Sequence, residues 1–423
     1  MRNILIVGAG QAGLQLALSL RAEGYEVTLM SARTPDEIRT GWVMSTQAMF
    51  DMALGTERAY GLNHWETETP PINGLRVALS APPGRLALEI IAPLEKPAQS
   101  TDQRIKMARW LEDAQERGVD VIYNAVTTQD LDAITQLGRY DLTVVAAGKG
   151  DLVAMFDRDP SRSPYTEPQR GLAVAYVHGL EPDPKWPVPH VGFHAVPGLG
   201  ELFVIPGLTH SGPCDILFWE AVPGGPLDRW AGNTGRMAPD QHLALTLELI
   251  REYLPWVHER AAHVRLTDAK ATLHGRYTPT VRRPVAHLPG GGKVLGLADV
   301  VIANDPITGQ GSNTAAKAAD HYLKAILARG DQPFDEQWMT GTFESFWTAH
   351  GQAVTGWTNA MVQPLPPHVQ QLLGAASQNE QIARRFAAGF VDPNDFLNWF
   401  VDPEKAAAYL AEVGGPAENP SAV

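Results

Sequence analysis

Gly8-Ala9-Gly10-Gln11-Ala12-Gly13 reads G-x-G-x-x-G within the first turn of the chain. Asn3 to Gly8 before it is a β-branched apolar run. Gln11 to Glu23 after it carries Leu14, Ala17, Leu18 and Leu20 at helical spacing, stopped by Gly24. At such a junction the first glycine permits a tight turn, the second lets backbone approach a pyrophosphate, and the third lets helix and strand pack closely. Phosphate charge then rests on the helix N-terminus and its free N–H groups. Gly8, Gly10, Ala12 and Gly13 are therefore candidate dinucleotide contacts. A carboxylate for the ribose hydroxyls is expected about 20 residues on. The second strand instead ends Leu29-Met30-Ser31-Ala32-Arg33, and the next acidic residue is Asp36. Ser31 or nearby backbone is left for the ribose, and Arg33 for the pyrophosphate or adenine.

A second constellation lies near residue 300. Val294-Leu295-Gly296-Leu297-Ala298-Asp299 is a strand ending in an aspartate, and Asp305-Pro306-Ile307-Thr308-Gly309-Gln310-Gly311-Ser312-Asn313 opens a helix. A carboxylate there suits a polyol such as the ribitol of FAD. A glycine-rich turn at a helix start sets N–H groups and a positive dipole end against an anionic flavin edge. Asp299, Pro306, Gly309, Gln310, Gly311 and Asn313 join the candidate cofactor contacts. G-x-G-x-x-G occurs once, so no second dinucleotide fold is expected for a nicotinamide.

The elements that position these residues follow from periodicity. Strands 3–8 and 26–30 flank helix 11–23 as a βαβ unit. Residues 46–60 read as a helix, and 72–80 and 84–92 as strands around Ala81-Pro82-Pro83-Gly84. Helix 100–117 has Thr101 or Asp102 near its cap, followed by strands 119–123 and 141–147. The Pro- and Gly-rich stretch 171–270 suggests an antiparallel sheet with a helix at 240–254. A buried strand is expected at 293–302 and a long helix at 311–329. Helices are expected from 333 to 413, with Trp338, Phe343, Phe346, Trp347 and Trp357 spaced for packing, then a frayed polar tail after Gly414.

Composition bounds the partners. The 423 residues carry 34 Lys+Arg against 47 Asp+Glu, a formal net charge of −13, which argues against nucleic acid and anionic membrane surfaces. A single cysteine, Cys214, excludes an internal disulfide and Cys-based zinc or iron–sulfur sites. No apolar run reaches the roughly 18–20 residues that span a bilayer. The start lacks a signal-peptide pattern, so a cytoplasmic location is expected. Gly290-Gly291-Gly292-Lys293 lacks P-loop spacing and reads as a hairpin turn. Neither G-x-S-x-G nor H-E-x-x-H occurs, no metal site is expected, and His274, His287 and His321 stand singly.

The N-terminal G-x-G-x-x-G, with G-x-x-D and D-P-x-x-G-Q-G-x-N near residue 300, resembles FAD-dependent aromatic monooxygenases of hydroxybenzoate-hydroxylase-like fold. Gln169-Arg170 after a Pro-rich loop, Gly309-Gln310-Gly311-x-Asn313 and the tail Asn398-Trp399-Phe400-x-Asp402-Pro403-Glu404 narrow this to the styrene and indole monooxygenase family, over about residues 3–412. The fold so implied is α/β: an FAD-binding Rossmann domain with an interleaved β-sheet substrate domain and C-terminal helices. Its expected segments are 1–44, 101–170 and 271–329 for FAD, 45–100 and 171–270 for substrate, and 330–423 for the helical region. Ala146-Ala147-Gly148-Lys149-Gly150 lacks the Asp-Gly of single-component hydroxylases, and the W-x-W-x-I-P of halogenases is not found. A two-component system is implied, in which an NADH-dependent flavin reductase supplies reduced FAD.

Pocket residues can be carried over singly. Ser45, Gln47 and Met49 stand where styrene enzymes resemble one another in Asn, Val and His. Ile72 and Leu75 stand for Tyr and His, and Ala98 for Ser. This set resembles the indole type; its apolar members and Pro306 suit the walls of an indole pocket, with Ser45 or Gln47 to orient the ring. The implied reaction is epoxidation of the indole C2=C3 bond by reduced FAD and O2 through a flavin C4a-hydroperoxide, leading to indoxyl and indigo. No side chain acts as catalyst, because the cofactor carries the chemistry. Styrene epoxidation and a single-component NAD(P)H-dependent aromatic hydroxylase are the alternatives.

Overall fold

A computed structural model describes residues 2–148, 150–232 and 235–414; Lys149 and the tail after Gly414 lie outside the described residues. The chain divides into two compact units. The first comprises Met1–Glu68, Thr101–Gln169 and Tyr277–Thr355, and the second Thr69–Ser100, Arg170–Arg276 and Gly356–Val423. Residues 45–68, expected with the substrate segments, thus lie in the first unit. The C-terminal helices form no third unit and divide at 355/356.

The first unit is built on a six-stranded sheet. Its order is Val285–His287, Lys293–Gly296, Leu142–Val145, Asn3–Val7, Glu26–Ser31 and Asp120–Tyr123. All neighbours are parallel except the hairpin Val285–His287/Lys293–Gly296, whose turn holds the Gly290–Gly292 run. A parallel sheet is covered on both faces and therefore needs strands that are apolar throughout. Ile4, Leu5, Ile6, Val144, Val294 and Leu295 are all fully buried. Helices Gln11–Ala22, Gln103–Glu116 and Gly311–Arg329 supply cover, and Asp102 caps the second by accepting from the Arg104 N–H at 2.8 Å. The expected strand 293–302 stops at Gly296, because the chain turns through Ala298 at φ 56° into a short 3-10 turn, Ala298–Val300.

The second unit carries an eight-stranded sheet. Its path is Arg265–Leu266, Gly171–His178, Gly212–Ala221, Gly200–Thr209, Val191–Val196, Ile72–Ser80 and Leu86–Ala98, with Thr272–Gly275 also pairing Gly171–His178. All pairs are antiparallel except Ile72–Ser80 with Val191–Val196. Alternation sorts the side chains between its faces. Leu202, Val204, Leu217 and Trp219 form a core with Leu249, Ile250 and Tyr253 of helix Pro239–Tyr253. On the opposite face Phe193, Phe203 and Phe218 are cross-strand partners on three adjacent strands. In the C-terminal helices Trp357 meets Phe390 edge-on at 4.9 Å and Phe396 at 4.5 Å, the packing expected of it.

Candidate functional site

In the first unit two glycine-opened helices leave the sheet at the same edge. Gln15 Nε2 donates to the Ala316 carbonyl at 3.1 Å, and Tyr25 Oη reaches the Ile326 carbonyl. One constant offset relates both pairs, so helices Gln11–Ala22 and Gly311–Arg329 run parallel with their N-termini side by side. That edge is the carboxyl edge of the parallel strands, where open α/β sheets bind ligands. Two positive dipole ends are thereby pooled at one place.

The glycines there meet different demands. Gly8 has φ 120°, and a Cβ on it would lie 2.6 Å from the Ala146 carbonyl carbon and the Ala147 nitrogen. A Cβ on Gly13 would strike the Gly8 carbonyl oxygen. A Cβ on Gly10, Gly309 or Gly311 would meet no described atom within 4 Å, and all three residues are exposed. Gly8 and Gly13 are required by packing and Gly309 by its positive φ, whereas Gly10 and Gly311 leave open space where a side chain would stand. First-turn N–H groups have no partner within their own helix, and two such starts fit a flavin dinucleotide, with phosphates against the first and an anionic ring edge against the second. Gly309 takes φ 63° at the end of the turn Pro306–Thr308, which Asp305 caps through the Ile307 N–H at 3.2 Å. Ala12 is buried at the second position of its helix.

The other expected cofactor contacts are placed as follows. Ser31 is buried, and its hydroxyl donates to the Arg33 carbonyl at 2.6 Å, closing its own turn. The Arg33 guanidinium is exposed and lies 2.8 Å from Met44 Sδ. Asp299 is exposed on the Ala298–Val300 turn, against Gly148. The strand end before it is held by Tyr322, whose hydroxyl donates to the Gly296 carbonyl at 3.0 Å, and burial pushes that phenol far up.

Asn313 and Gln47 behave differently from their expected roles. Asn313 is 1% exposed, and its amide bonds the 48–50 backbone: it accepts from Phe50 N–H at 2.9 Å and donates to the Ala48 carbonyl at 2.8 Å. Gln47, 4% exposed, donates to the Thr101 carbonyl and accepts from Ser312 Oγ at 3.3 Å and Gln103 Nε2 at 3.4 Å. The expected helix 46–60 consequently begins only at Asp51, because the 48–50 backbone is held extended. Met49 is buried with Ala53, Leu54 and Ala316, and Ser45 is exposed with its hydroxyl on the Thr46 carbonyl at 3.1 Å. Pro306 is half-buried at the first position of its turn. These residues belong to the first unit.

Ile72, Leu75 and Ala98 belong to the second unit, where Ile72 pairs with Ala98 across the strands and all three are buried. Sequence reading missed the phenylalanine row on this sheet. Phe193 and Phe203 stack at 4.7 Å, and Phe203 and Phe218 lie 5.9 Å apart. Alternation within 191–196, 200–209 and 212–221 was the available signal, but it does not reveal which strands become neighbours.

Two further elements of the first unit support the edge. Gln11 Nε2 donates to Glu57 at 2.9 Å, and Lys106 Nζ pairs with the same carboxylate at 2.5 Å while lying 4.7 Å above the Trp110 ring. Among the described residues no group of three or more His, Cys, Asp or Glu could hold a metal ion. No helix among them is long and apolar enough to cross a membrane.

A sheet of this order, a G-x-G-x-x-G loop at its carboxyl edge and an interleaved second sheet define the α/β fold of the flavin-dependent hydroxylases and halogenases. The flavin-dependent brominase Bmp2 has that fold at TM-score 0.64 and 15% identity, over 97% of this chain and 99% of its own. p-Nitrophenol 4-monooxygenase PnpA from Pseudomonas putida has it at TM-score 0.61 and 12% identity, over 93% and 99%. Residues 148–260 match the family described as "Styrene monooxygenase A putative substrate binding domain". Styrene monooxygenase StyA of Pseudomonas fluorescens is 31% identical over 412 residues, 96% of each chain, and that of a Pseudomonas sp is 30% identical over 97% and 98%. The chain belongs to the styrene monooxygenase family of flavin-dependent monooxygenases.

Proposed function

We propose that this chain is the oxygenase component of a two-component system that takes FAD in its reduced form from an NADH-dependent flavin reductase and epoxidises indole at C2=C3. The indole reading is carried by side-chain identity. Met49, Ile72, Leu75 and Ala98 are buried and apolar, where styrene types resemble one another in His, Tyr, His and Ser. Apolar side chains at these positions suit a neutral bicyclic substrate.

Reduced FAD, when bound, would activate O2, giving one oxygen atom to C2=C3 and releasing the other as water while the flavin is reoxidised. The chain's own part is positional. Backbone N–H groups at Gly10–Ala12 would hold phosphate oxygens, and the helix start at Gly311 the ring edge. Tyr322 fixes the strand end that presents Asp299, whose carboxylate suits a ribitol hydroxyl. Phe193, Phe203 and Phe218 form a buried aromatic row in the second unit.

Protein given chemically reduced FAD, O2 and indole should yield a product 16 mass units heavier that darkens to a blue pigment, and NADH without a reductase should yield none. Turnover driven by NADPH alone would instead establish the single-component hydroxylase. The names of the StyA relatives favour a second reading, with styrene as substrate. Ser45→Asn combined with Met49→His should raise the styrene-to-indole rate ratio several-fold; an unchanged ratio defeats the pocket assignment.

A further inference from the structure

Asn313 touches two places at once. Its Nδ2 donates to the Gly309 carbonyl at 3.1 Å, at the exposed end of the turn that leads into helix Gly311–Arg329, and to the Ala48 carbonyl at 2.8 Å in the segment that carries Ser45, Gln47 and Met49. Its Oδ1 accepts from Phe50 N–H at 2.9 Å. One amide therefore engages the 48–50 backbone as a neighbouring strand would, a carbonyl and an N–H two residues apart, while also gripping the turn.

We propose that Asn313 is a positioning residue that couples the Gly309 turn to segment 45–50, so that a flavin seated on the turn orders the segment that meets the substrate. The inference rests on the functional reading above. The amide is buried, and with three bonds between 2.8 and 3.1 Å its geometry is over-determined. A shift of the Gly309 carbonyl must move the amide plane, and with it Ala48 and Phe50. Gln47 adds a parallel tie between Ser312 and the Thr101 carbonyl, which resists sliding of the segment along the helix. Phe50 is the N-cap of helix Asp51–Ala59 and has no side-chain capping bond, so the start of that helix is also set by Asn313.

Hydrogen exchange followed by mass spectrometry tests this on the full chain, with FAD as the probe and flavin fluorescence reporting its binding separately. In the wild type, FAD should slow exchange in both 305–313 and 45–54. In Asn313→Ala the slowing at 305–313 should persist while that at 45–54 disappears. Without FAD, the variant's 45–54 segment should exchange about fivefold faster, as expected for loss of one neutral hydrogen bond. Asn313→Asp keeps the acceptor for Phe50 N–H, loses both donors, and should show the same split. It also serves if the alanine variant melts early.

Protection of 45–54 by FAD that survives in both variants overturns the coupling, because the segment then responds without Asn313. Loss of protection at 305–313 as well also overturns it, making Asn313 a direct flavin contact. If FAD fails to bind the wild type, the functional reading falls first and the coupling falls with it. Substrate readout should agree: product formed per O2 consumed should fall at least threefold in Asn313→Ala, and the KM for indole should rise more than kcat falls.

Discussion

Gly10 and Gly13 are three residues apart and answer to opposite constraints. A methyl at Gly13 collides with the Gly8 carbonyl, which is fixed backbone, while a methyl at Gly10 enters open space from an ordinary extended conformation, φ −92° and ψ −172°. Gly13→Ala should therefore destabilise the fold by about 2 kcal/mol or more, in the manner of overpacking. Gly10→Ala should melt within a degree or two of wild type yet weaken FAD binding at least tenfold. Urea midpoints and flavin fluorescence separate the two, and equal stability losses would refute the division of roles. Residue type and spacing marked these glycines in the sequence. They did not mark Asn313 as the partner of Ala48 and Phe50, because those residues lie some 260 positions away and a buried amide serves a cofactor or a backbone equally well. Ser31 shows the same limit: its hydroxyl turned out to be engaged by the backbone two residues on.

Helix Gln103–Glu116 shows how an element is pinned. Asp102 caps it and accepts from Arg104 Nη2 and Nε at 2.7 and 2.9 Å, with both side chains nearly inaccessible. Asp102→Ala removes the cap and leaves a buried guanidinium without its carboxylate. That should cost about 3–5 kcal/mol, the usual penalty for breaking such a pair from one side. Asp102→Asn should cost less, since the cap acceptor survives; denaturant unfolding of both variants checks the order. The cap was legible, as Asp102 precedes an apolar-periodic run. So were the parallel strands and helix 311–329, whose observed limits coincide with the expected ones. Besides strand 293–302, two helices differ from expectation. Helix 46–60 begins at Asp51 because a side chain from residue 313 takes the backbone before it. Helix Thr128–Gln136 was passed over although Thr127 and Asp130 form a capping box.

At the scale of the molecule the two sheets obey different rules. The first is apolar on both faces, and the second divides its side chains between a core under helix Pro239–Tyr253 and an aromatic face. Asp215 follows Cys214 on a strand of the second, where burial lifts its carboxyl to about 6 against the attraction of Arg260. The folded protein thus keeps a proton that the unfolded chain loses near pH 4, so this group costs stability as pH rises from 4 to 6 and its full penalty persists above. The shift corresponds to at most about 3 kcal/mol. Asp215→Asn should accordingly be more stable than wild type at pH 8 and equal to it at pH 4; a pH-independent difference in urea midpoints would contradict the assignment. The charge of −13 bears on none of this, since the proposed substrate, indole, is neutral and needs no electrostatic steering. From sequence alone came most of the order of elements, the G-x-G-x-x-G loop, the Gly309 turn and the family, because local periodicity and contiguous motifs encode them. Tertiary structure alone decided which strands adjoin, and hence that Phe193, Phe203 and Phe218 form a row. It also decided that two helix N-termini lie side by side, and that Gln47 and Asn313 bind backbone. Each of these depends on contacts between residues far apart in the chain, where spacing carries no information.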